Sequence, residues 1–413
     1  MPESRVLIIG GGAAGLSAAI VAARLGAGVM LLEAGARVGR KILESGNGRC
    51  NLSNLSASPS AYNHPDFVEP VLGAYPCEAI CSFFGEIGLL THADDEGRVY
   101  PVTNAASSVL DALRLECAHL GVETRCGFEV ERISEEPGSG GFEVLSQDGE
   151  TVRAEAVVVT TGGGGSLLAG LGHGMIERVP VLGPIKTEAE PIRGLSGVRV
   201  RCAATLLVGV DDDNTGGNAV ATERGELLFR DYGVSGIMVF DLSRYLGDGC
   251  AISIDFFPDV SLPELRTMIE QRSADLPWRT VETYFAGMLH DRVARAIMRA
   301  AGIGRDTPVE KLPVARLAAL LKDFRLGVLG MGDARQAQVT RGGASVEGFD
   351  PNAMASRVVD GLFAAGEVLD IDGRSGGLNL HWAWASGIVA GEAAARSAMA
   401  RAADRDVSSK ASE

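Results

Sequence analysis

The stretch that decides the fold is RVLIIGGGAAGLSAAIVAARLGAGVMLLE, from Arg5 to Glu33. An aliphatic run leads into a glycine turn with the spacing Gly10-x-Gly12-x-x-Gly15, then into an alanine-rich helical segment and a second apolar run that ends on Glu33. Gly10 permits a tight turn, Gly12 lets the backbone approach a pyrophosphate, and Gly15 lets helix and strand pack closely. The helix start offers N–H groups to phosphates, and Glu33 stands where a carboxylate binds ribose hydroxyls. The stretch predicts a bound adenine dinucleotide and leaves its identity open.

The composition is that of a large globular protein. The 413 residues, 46% of them hydrophobic, suffice for two or three domains. The net charge of −15 argues against nucleic acid or an anionic membrane as a partner. The 7 cysteines and 6 histidines are scattered without metal-ligand spacing, so we expect reduced thiols and no metal. The apolar N-terminal stretch belongs to the strand-helix-strand unit and has no basic leader, so we expect a cytoplasmic protein.

Residue periodicity predicts alternating strands and helices along the chain. In the first half it favours helices at 78–89 and 105–120 and strands at 127–133, 141–145, 151–154 and 156–161, the last ending in four glycines at 162–165. Beyond residue 190 it favours strands at 198–210, 226–229, 237–242 and 250–257, helices at 262–274, 280–301 and 308–324, a buried strand at 361–366 and a last helix at 379–402.

This order predicts an α/β protein with an interrupted nucleotide-binding domain. The nucleotide-binding domain comprises residues 1–190 and 337–405. A β subdomain at 191–258 and a helical subdomain at 259–336 form the insert, and residues 406–413 form a flexible tail.

A late strand indicates which dinucleotide is bound. Gly366 and Glu367 follow the apolar run LFAA, far along the chain from the first strand. In large FAD proteins of the glutathione-reductase type, such a strand returns beside the first one and its acid binds the ribityl or pyrophosphate region. A helix then begins near Asn379, where its N-terminal amides can stabilise negative charge on the reduced flavin. Taken alone, the pattern is equally compatible with a second strand-turn-helix carrying an incidental acid.

Three further blocks carry a family resemblance. SGNGRCNLSN at 45–54, AQVTRGGA at 337–344 and FAAGEVLDIDGRSGGLNLHWAWASG at 363–387 resemble the HI0933-like flavoproteins. That family is often labelled aminoacetone oxidase family FAD-binding enzyme and includes the bile-acid dehydro-reductase type. The likeness spans residues 4 to 400. It implies a Rossmann-like FAD-binding domain of the glutathione-reductase type, discontinuous, with an inserted β-plus-helical domain.

Matched position by position, the resemblance implies a set of cofactor-binding residues. Those at the adenosine, pyrophosphate and flavin are Gly10, Gly12, Ala13, Ala14, Gly15, Glu33, Ala34, Arg40, Lys41, Val130, Thr161, Gly162, Gly366, Glu367, Asn379 and Leu380. The loop Gly48, Arg49, Cys50 and Asn51 either ties down its own backbone or lies beside the flavin. We favour the flavin, because strained glycine-rich loops concentrate at functional sites. His381, in the first turn of the last helix, is expected to be neutral and hydrogen-bonded. No catalytic residue is identified.

The expected function is that of an FAD-dependent oxidoreductase. We expect NAD(P)H-linked reduction of a small organic substrate, an activated alkene or an imine. NAD(P)H would bind only transiently, because the sequence has no second complete glycine fingerprint. The alternatives are a flavin oxidase of a small amine or ketone and a non-catalytic, redox-sensing flavin protein. The second is kept open by residues 162–184, which are shorter than the family pattern and lack its Gly-Ser-Thr-Gly-Asp-Gly run.

Overall fold

The computed structural model describes residues 5–136, 140–163, 167–211 and 214–410. The chain divides into two compact units. The first unit comprises Met1–Val179 and Val339–Glu413, and the second comprises Pro180–Gln338. Two of the four glycines after the buried strand, at 164 and 165, and the end of the predicted flexible tail, 411–413, lie outside the described residues.

The strands are numbered in chain order. They are β1 (Arg5–Ile9), β2 (Gly28–Glu33), β3 (Ser53–Asn54), β4 (Thr91–Ala93), β5 (Arg98–Pro101), β6 (Glu123–Cys126), β7 (Val130–Glu135), β8 (Phe142–Ser146), β9 (Thr151–Ala154), β10 (Ala156–Val159), β11 (Met175–Val181), β12 (Ile185–Thr187), β13 (Arg199–Val210), β14 (Gly216–Phe229), β15 (Gly233–Ser235), β16 (Cys250–Asp255), β17 (Phe324–Met331), β18 (Val339–Ala344), β19 (Phe349–Asp350), β20 (Ala355–Ser356) and β21 (Leu362–Ala364).

The helices are numbered in the same way. They are α1 (Ala13–Arg24), α2 (Arg40–Glu44), α3 (Pro65–Ala74), α4 (Cys77–Glu86), α5 (Ala106–His119), α6 (Ile237–Ser243), α7 (Leu262–Asp275), α8 (Asp291–Ala300), α9 (Val314–Lys322) and α10 (Leu378–Lys410). Short 3₁₀ turns occur at Ser45–Gly48, Pro59–Ala61, Ala169–Leu171, Val309–Lys311, Ala334–Gln336, Val346–Gly348 and Gly366–Val368.

A seven-stranded sheet is the centre of the first unit. Its strand order is β19-β20-β21-β10-β1-β2-β6, and the strands from β21 to β6 run parallel. β1 pairs with β2 on one side and β10 on the other, so that Ile8 lies opposite both Leu31 and Val158. All three side chains are fully buried, as expected for a parallel sheet covered on both faces. The carboxyl ends of β1, β2, β10 and β21 therefore meet at one edge.

Helices α1 and α10 pack unusually closely beside this sheet. A Cβ placed on Gly387 of α10 would lie 2.4 Å from the carbonyl oxygen of Ala14, and one on Gly391 would lie 2.4 Å from that of Ala18. Small residues at both sets of positions let the two backbones approach. This crossing joins the first and last helices and fixes the start of α10 relative to the glycine turn.

The second unit contains a closed six-stranded barrel. Its strand order is β12-β15-β14-β13-β16-β17, and every pair described is antiparallel. The barrel has its own core, in which Leu206, Phe229 and Ile252 are fully buried. Closure removes the unpaired edges that an open antiparallel sheet would expose.

Three sequence-based predictions for this second unit were wrong, and strand β17 was not predicted. The segment predicted as a strand at 237–242 is helix α6, because its buried residues Met238, Val239, Leu242 and Ser243 follow a helical period. Helix 280–301 is confined to α8, since Gly287 adopts a left-handed conformation (φ 85°) and His290 caps the helix. The prediction for 308–324 fails at Pro313, which precedes the shorter helix α9. Strand β17 was missed because Gly327 and Gly330 weaken its strand pattern.

In the first unit, the segment between Glu33 and residue 78, for which the sequence predicted no helix or strand, contains β3 and helix α3. Pro65 and Pro70 mask that helix in the sequence, although Pro65 occupies the first turn, where proline is tolerated. The last helix is longer than predicted and continues to Lys410, into the segment predicted to be a flexible tail.

Candidate functional site

The glycine turn lies between the end of β1 and the start of α1. Gly10 has φ 109°, and a Cβ there would lie 2.4 Å from the carbonyl oxygen of Thr160. A Cβ on Gly15 would lie 1.9 Å from the carbonyl oxygen of Gly10. Gly12 caps α1 without any side-chain hydrogen bond, and a Cβ there would meet no atom within 4 Å. Two glycines thus serve close packing, and the third leaves the first amides of α1 facing open space.

Glu33 lies directly against this turn. Its Oε2 accepts a hydrogen bond from the Gly11 N–H (2.8 Å), and its Oε1 accepts one from the Gly35 N–H (2.7 Å). A carboxylate has about four lone-pair sites, so each oxygen can accept a further bond. The side chain therefore braces both loops at the ends of β1 and β2 and keeps acceptor capacity for a ribose hydroxyl. Ala13 and Ala14 begin α1, and Ala34 is exposed directly after Glu33.

Residues from four distant segments converge at Glu367. Its Oε2 lies 3.0 Å from the Lys41 Nζ, and its Oε1 accepts a hydrogen bond from the Thr340 N–H at 2.7 Å. A Cβ on Gly162 would lie 3.5 Å from both the Glu367 Oε2 and the Lys41 Nζ. The structure therefore brings together Lys41, Gly162 and Glu367, which were predicted from sequence. It adds the backbone N–H of Thr340, which was not.

Other predicted residues lie differently. Arg40 does not join the Glu367 cluster: its side chain is 84% exposed and lies 3.8 Å from Glu44 on α2. Thr161 follows Thr160, whose hydroxyl donates to the carbonyl oxygens of Ile9 (2.9 Å) or Gly10 (2.8 Å). Val130 begins β7, close to the end of β2, because the Phe128 N–H donates to the Glu33 carbonyl at 3.0 Å.

The loop from Gly46 to Asn51 is strained. Asn47 and Cys50 have positive φ values of 55° and 59°, and Gly46 and Gly48 have values of 56° and 82°. The Arg49 guanidinium lies 4.7 Å from the centre of the Tyr100 ring. Left-handed backbone at non-glycine residues carries a conformational cost, which the surroundings must offset. This strain fits the interpretation that the loop serves a function.

Asn51 provides a more specific observation. Its side-chain Oδ1 is buried, and no described residue donates a hydrogen bond to it. The same oxygen would lie 2.6 Å from a Cβ placed on Gly377, which immediately precedes α10. A buried acceptor without a donor is costly, so the position favours a ligand that carries an N–H group.

The start of α10 is held by its own side chains. Asn379 accepts a hydrogen bond from the Gly373 N–H (2.8 Å) and donates to the Gly373 carbonyl (2.9 Å). Its amide is thus used within the protein, and a flavin contact here would rely on backbone N–H groups. Leu380 is half-buried against the core. Gly366, with φ 75°, is fixed by the Trp382 indole N–H, which donates to its carbonyl at 3.2 Å.

His381 and Cys50 are neutral and internal. The His381 Nδ1 lies 2.7 Å from the Ser53 hydroxyl oxygen, and its Nε2 lies 3.0 Å from the Tyr75 carbonyl oxygen. Burial lowers the pKa of His381 to about 4, so the ring is uncharged at neutral pH. Burial also raises the pKa of the Cys50 thiol to about 11. Neither side chain is placed to act as an acid, base or nucleophile on a ligand.

Sequence reasoning missed a second polar cluster, where residues 61–64 run antiparallel to residues 370–374. The Arg374 N–H donates to the Ala61 carbonyl, and the Asn63 N–H donates to the Asp372 carbonyl, both at 3.1 Å. His64 Nε2 lies 3.0 Å from the Asp370 Oδ2. Asp370 stands in the block at 363–387 that carries the resemblance, but His64 stands in a segment for which the sequence predicted no element or motif.

These features fit FAD at the carboxyl edge of the sheet. The amides of α1 and the space over Gly12 suit a pyrophosphate, Glu33 suits a ribose, and Lys41 with Glu367 suits the middle of the cofactor. The pyrimidine edge of a flavin carries an N–H group. That group would supply the hydrogen-bond donor that the buried Asn51 Oδ1 lacks among the described residues.

The family model of the HI0933-like protein Rossmann domain matches residues 4–393 of this chain. The chain belongs to this family. It is 32% identical over 416 residues to a 3-dehydro-bile acid delta(4,6)-reductase from Clostridium scindens, covering 95% of this chain and 99% of that protein. It is 31% identical to a ribosomal RNA dihydrouridine synthase from Escherichia coli, covering 94% and 96%. The counterpart from Haemophilus influenzae is 28% identical, covering 93% and 96%.

This membership confirms the resemblance and the predicted Rossmann-type FAD-binding fold with a sheet-rich insert. As a member of this family, the protein is an FAD-dependent oxidoreductase. Among its described residues, no helix combines the length and the apolar character needed to cross a membrane.

Proposed function

We propose that this HI0933-like protein reduces a carbon–carbon double bond conjugated to a carbonyl group in a small organic molecule, with NAD(P)H as a transient electron donor. The observation that carries the proposal is the close approach of the Asn51 side chain to Gly377 at the N-terminus of α10, where we place the pyrimidine edge of the flavin. Helix N-termini stabilise negative charge, and a reduced flavin is anionic when it is ready to give up a hydride.

The names of the relatives support the same chemistry. A 3-dehydro, delta(4,6) steroid carries double bonds conjugated to a ketone. Dihydrouridine differs from uridine in the saturation of a double bond that is conjugated to a ring carbonyl. Both names therefore describe a conjugated double bond and its reduced form, although the two substrates differ greatly in size and charge.

Different residues of this chain would bind different parts of FAD. Gly12, Glu33 and Lys41 would hold the adenosine and pyrophosphate end of FAD. Glu367 would fix the middle of the cofactor, and Asn51 with the first amides of α10 would hold the pyrimidine edge. When bound, FAD supplies two-electron chemistry, accepting a hydride from the donor and delivering one to the acceptor.

A uridine in RNA is the second candidate substrate, because two relatives are named ribosomal RNA dihydrouridine synthases. The net charge of −15 opposes it, since binding of nucleic acid relies on basic surfaces that neutralise phosphates. We therefore place a small molecule first. Salt-sensitive binding of a uridine-containing RNA, measured by gel mobility at two salt concentrations, would reverse this order.

Reoxidation of the reduced protein tests the proposal. The FAD-loaded protein is reduced anaerobically with NADPH or NADH and then mixed with 2-cyclohexen-1-one or with air-saturated buffer. We expect the enone to restore the visible absorbance of oxidised flavin faster than dioxygen does. Fast reoxidation by air with stoichiometric peroxide would instead identify an oxidase. Reduction by NAD(P)H followed by no reaction with either acceptor would favour a redox-sensing flavin protein.

A further inference from the structure

We propose that His64, oriented by Asp370, is the acid that protonates the substrate carbonyl oxygen in the proposed reduction. The inference rests on that proposed function. It starts from the second polar cluster, which the cofactor site does not use.

Asp370 is held rigidly on several sides. Its Oδ2 lies 3.0 Å from the His64 Nε2, and its Oδ1 accepts a hydrogen bond from the Gly342 N–H at 3.0 Å. Its own backbone N–H donates to the Ala344 carbonyl at 2.9 Å, and the Asn63 side-chain amide donates to its carbonyl at 3.1 Å. The carboxylate is only 11% exposed. Asp370 can therefore hold the His64 ring in one orientation.

The hydrogen bonds settle the tautomer of His64. An ionised carboxylate only accepts hydrogen bonds, so the His64 Nε2 must carry the proton that faces Asp370. The other nitrogen, Nδ1, has no partner among the described residues, and the side chain is 38% exposed. A proton gained or lost by this ring is thus carried by Nδ1, which is open to a ligand and to solvent.

Helix α3 does not explain this arrangement. His64 is the N-cap residue of α3, a position at which Ser, Thr, Asn or Asp usually binds the first amides. The His64 side chain makes no such capping bond and is directed to Asp370 instead. Its orientation therefore serves the contact with Asp370 and not the start of the helix.

The dyad lies close to the segment that leads into α10. Tyr62 is bridged to Gly373, and the Gly373 N–H is bound by the Asn379 side chain at the start of the helix. His64 is two residues beyond Tyr62, and its partner Asp370 is three residues beyond Glu367, so the dyad adjoins both this segment and the Glu367 cluster. We place the substrate between the dyad and the first amides of α10.

The chemistry balances. Reduction of a conjugated double bond adds one hydride and one proton. The hydride goes to the carbon remote from the carbonyl, and the electron pair of the double bond shifts toward the carbonyl oxygen. The His64 Nδ1–H gives its proton to that oxygen, which leaves a neutral imidazole and an enol that rearranges to the saturated ketone. Solvent restores the proton to the half-exposed ring.

The test uses a ligand that resembles the developing oxyanion. 4-Nitrophenolate is titrated into the oxidised, FAD-loaded protein at neutral pH, and binding is followed by the long-wavelength charge-transfer absorbance of the flavin–phenolate pair. In His64→Gln, the NH₂ group of the glutamine amide would donate to Asp370. The amide oxygen of the glutamine would then face the phenolate and could not donate a hydrogen bond to it. Because a charge-assisted bond is lost, we expect the dissociation constant to rise by about tenfold or more.

Two further variants sharpen the test. His119→Gln changes an exposed histidine on α5 and should bind the phenolate like the wild type. Asp370→Asn should weaken binding as His64→Gln does, because its neutral amide does not stabilise the positively charged ring that donates to the phenolate. FAD content and the thermal midpoint are measured for each variant. Wild-type affinity in a folded, FAD-loaded His64→Gln, or no complex in the wild type, would overturn the proposal.

The enone reaction separates this inference from the proposed function. If the wild type reduces 2-cyclohexen-1-one and His64→Gln does so at an equal rate, the assignment of His64 fails and the function stands. If phenolate binding depends on His64 but no enone is reduced, the proposed function fails and the anion-binding role of His64 stands.

Discussion

Replacement of Glu33 by Gln should weaken FAD binding through two connected losses. The carboxylate accepts hydrogen bonds from the Gly11 and Gly35 N–H groups, at 2.8 and 2.7 Å, one at each oxygen. A glutamine at this position must turn its NH₂ group toward one of those two donors, so one bond becomes a repulsive contact. The substitution also removes the negative charge that would bind the ribose. Hydrogen bonds to charged groups contribute about 1.5–3 kcal/mol, so we expect the FAD dissociation constant to rise by roughly 10- to 150-fold.

The assay is a titration of the apoprotein with FAD, followed by quenching of flavin fluorescence. Glu150→Gln is the matched control, because Glu150 is an exposed glutamate in the turn between β8 and β9. We expect the control to bind FAD like the wild type. An unchanged dissociation constant in Glu33→Gln would refute the assignment of this carboxylate to the adenosine end of the cofactor.

Three other predictions follow from local geometry. Gly15→Ala should lower the thermal midpoint of unfolding, because its Cβ would lie 1.9 Å from the Gly10 carbonyl oxygen and overpacking costs about 1–3 kcal/mol. Gly73→Ala on α3 is the control: its Cβ meets no atom within 4 Å, so the thermal midpoint should not fall. Burial lowers the folded-state pKa of His381 from 6.5 to about 4, so about 3 kcal/mol of stability is present above pH 6.5 and lost as the pH falls toward 4. In urea unfolding, His381→Gln should lose less free energy of unfolding over this pH range than the wild type. An equal loss in the two proteins would contradict this. Cys50, with a pKa of about 11, should react with a thiol reagent at pH 8 far more slowly than the exposed Cys126, and equal rates in peptide-mapped labelling would show that the loop opens.

Much of the first unit could be predicted from sequence, because its signals are local. The stretch from β1 to β2 contains strand, turn, helix and acid in one continuous run, and the apolar run of β10 is typical of a buried parallel strand. The second unit was harder to predict. In a closed barrel the pairing partners are distant in sequence, and a short apolar segment such as α6 can satisfy a strand or a helix. Gly327 and Gly330 weaken the strand pattern of β17 in the sequence, and its role in closing the barrel is visible only in the structure.

The candidate site shows the same division. Lys41, Gly162 and Glu367 were identified from motifs, and the structure brings them together. Whether an individual side chain faces the ligand depends on rotamers and on loop geometry, which motifs do not specify. Thus Arg40 lies on the outer face of α2, and the Asn379 amide is bound to Gly373. His64 could not be found from sequence, because its significance arises from a contact with Asp370 more than 300 residues away.

The most direct test of the central claim is the flavin content of the purified protein. The protein is denatured, and the released chromophore is identified and counted against the chain concentration. We predict a yellow protein that contains one flavin per chain, released as FAD with its adenylate intact. A colourless protein that takes up no FAD on reconstitution, or one that retains FMN alone, would contradict the account.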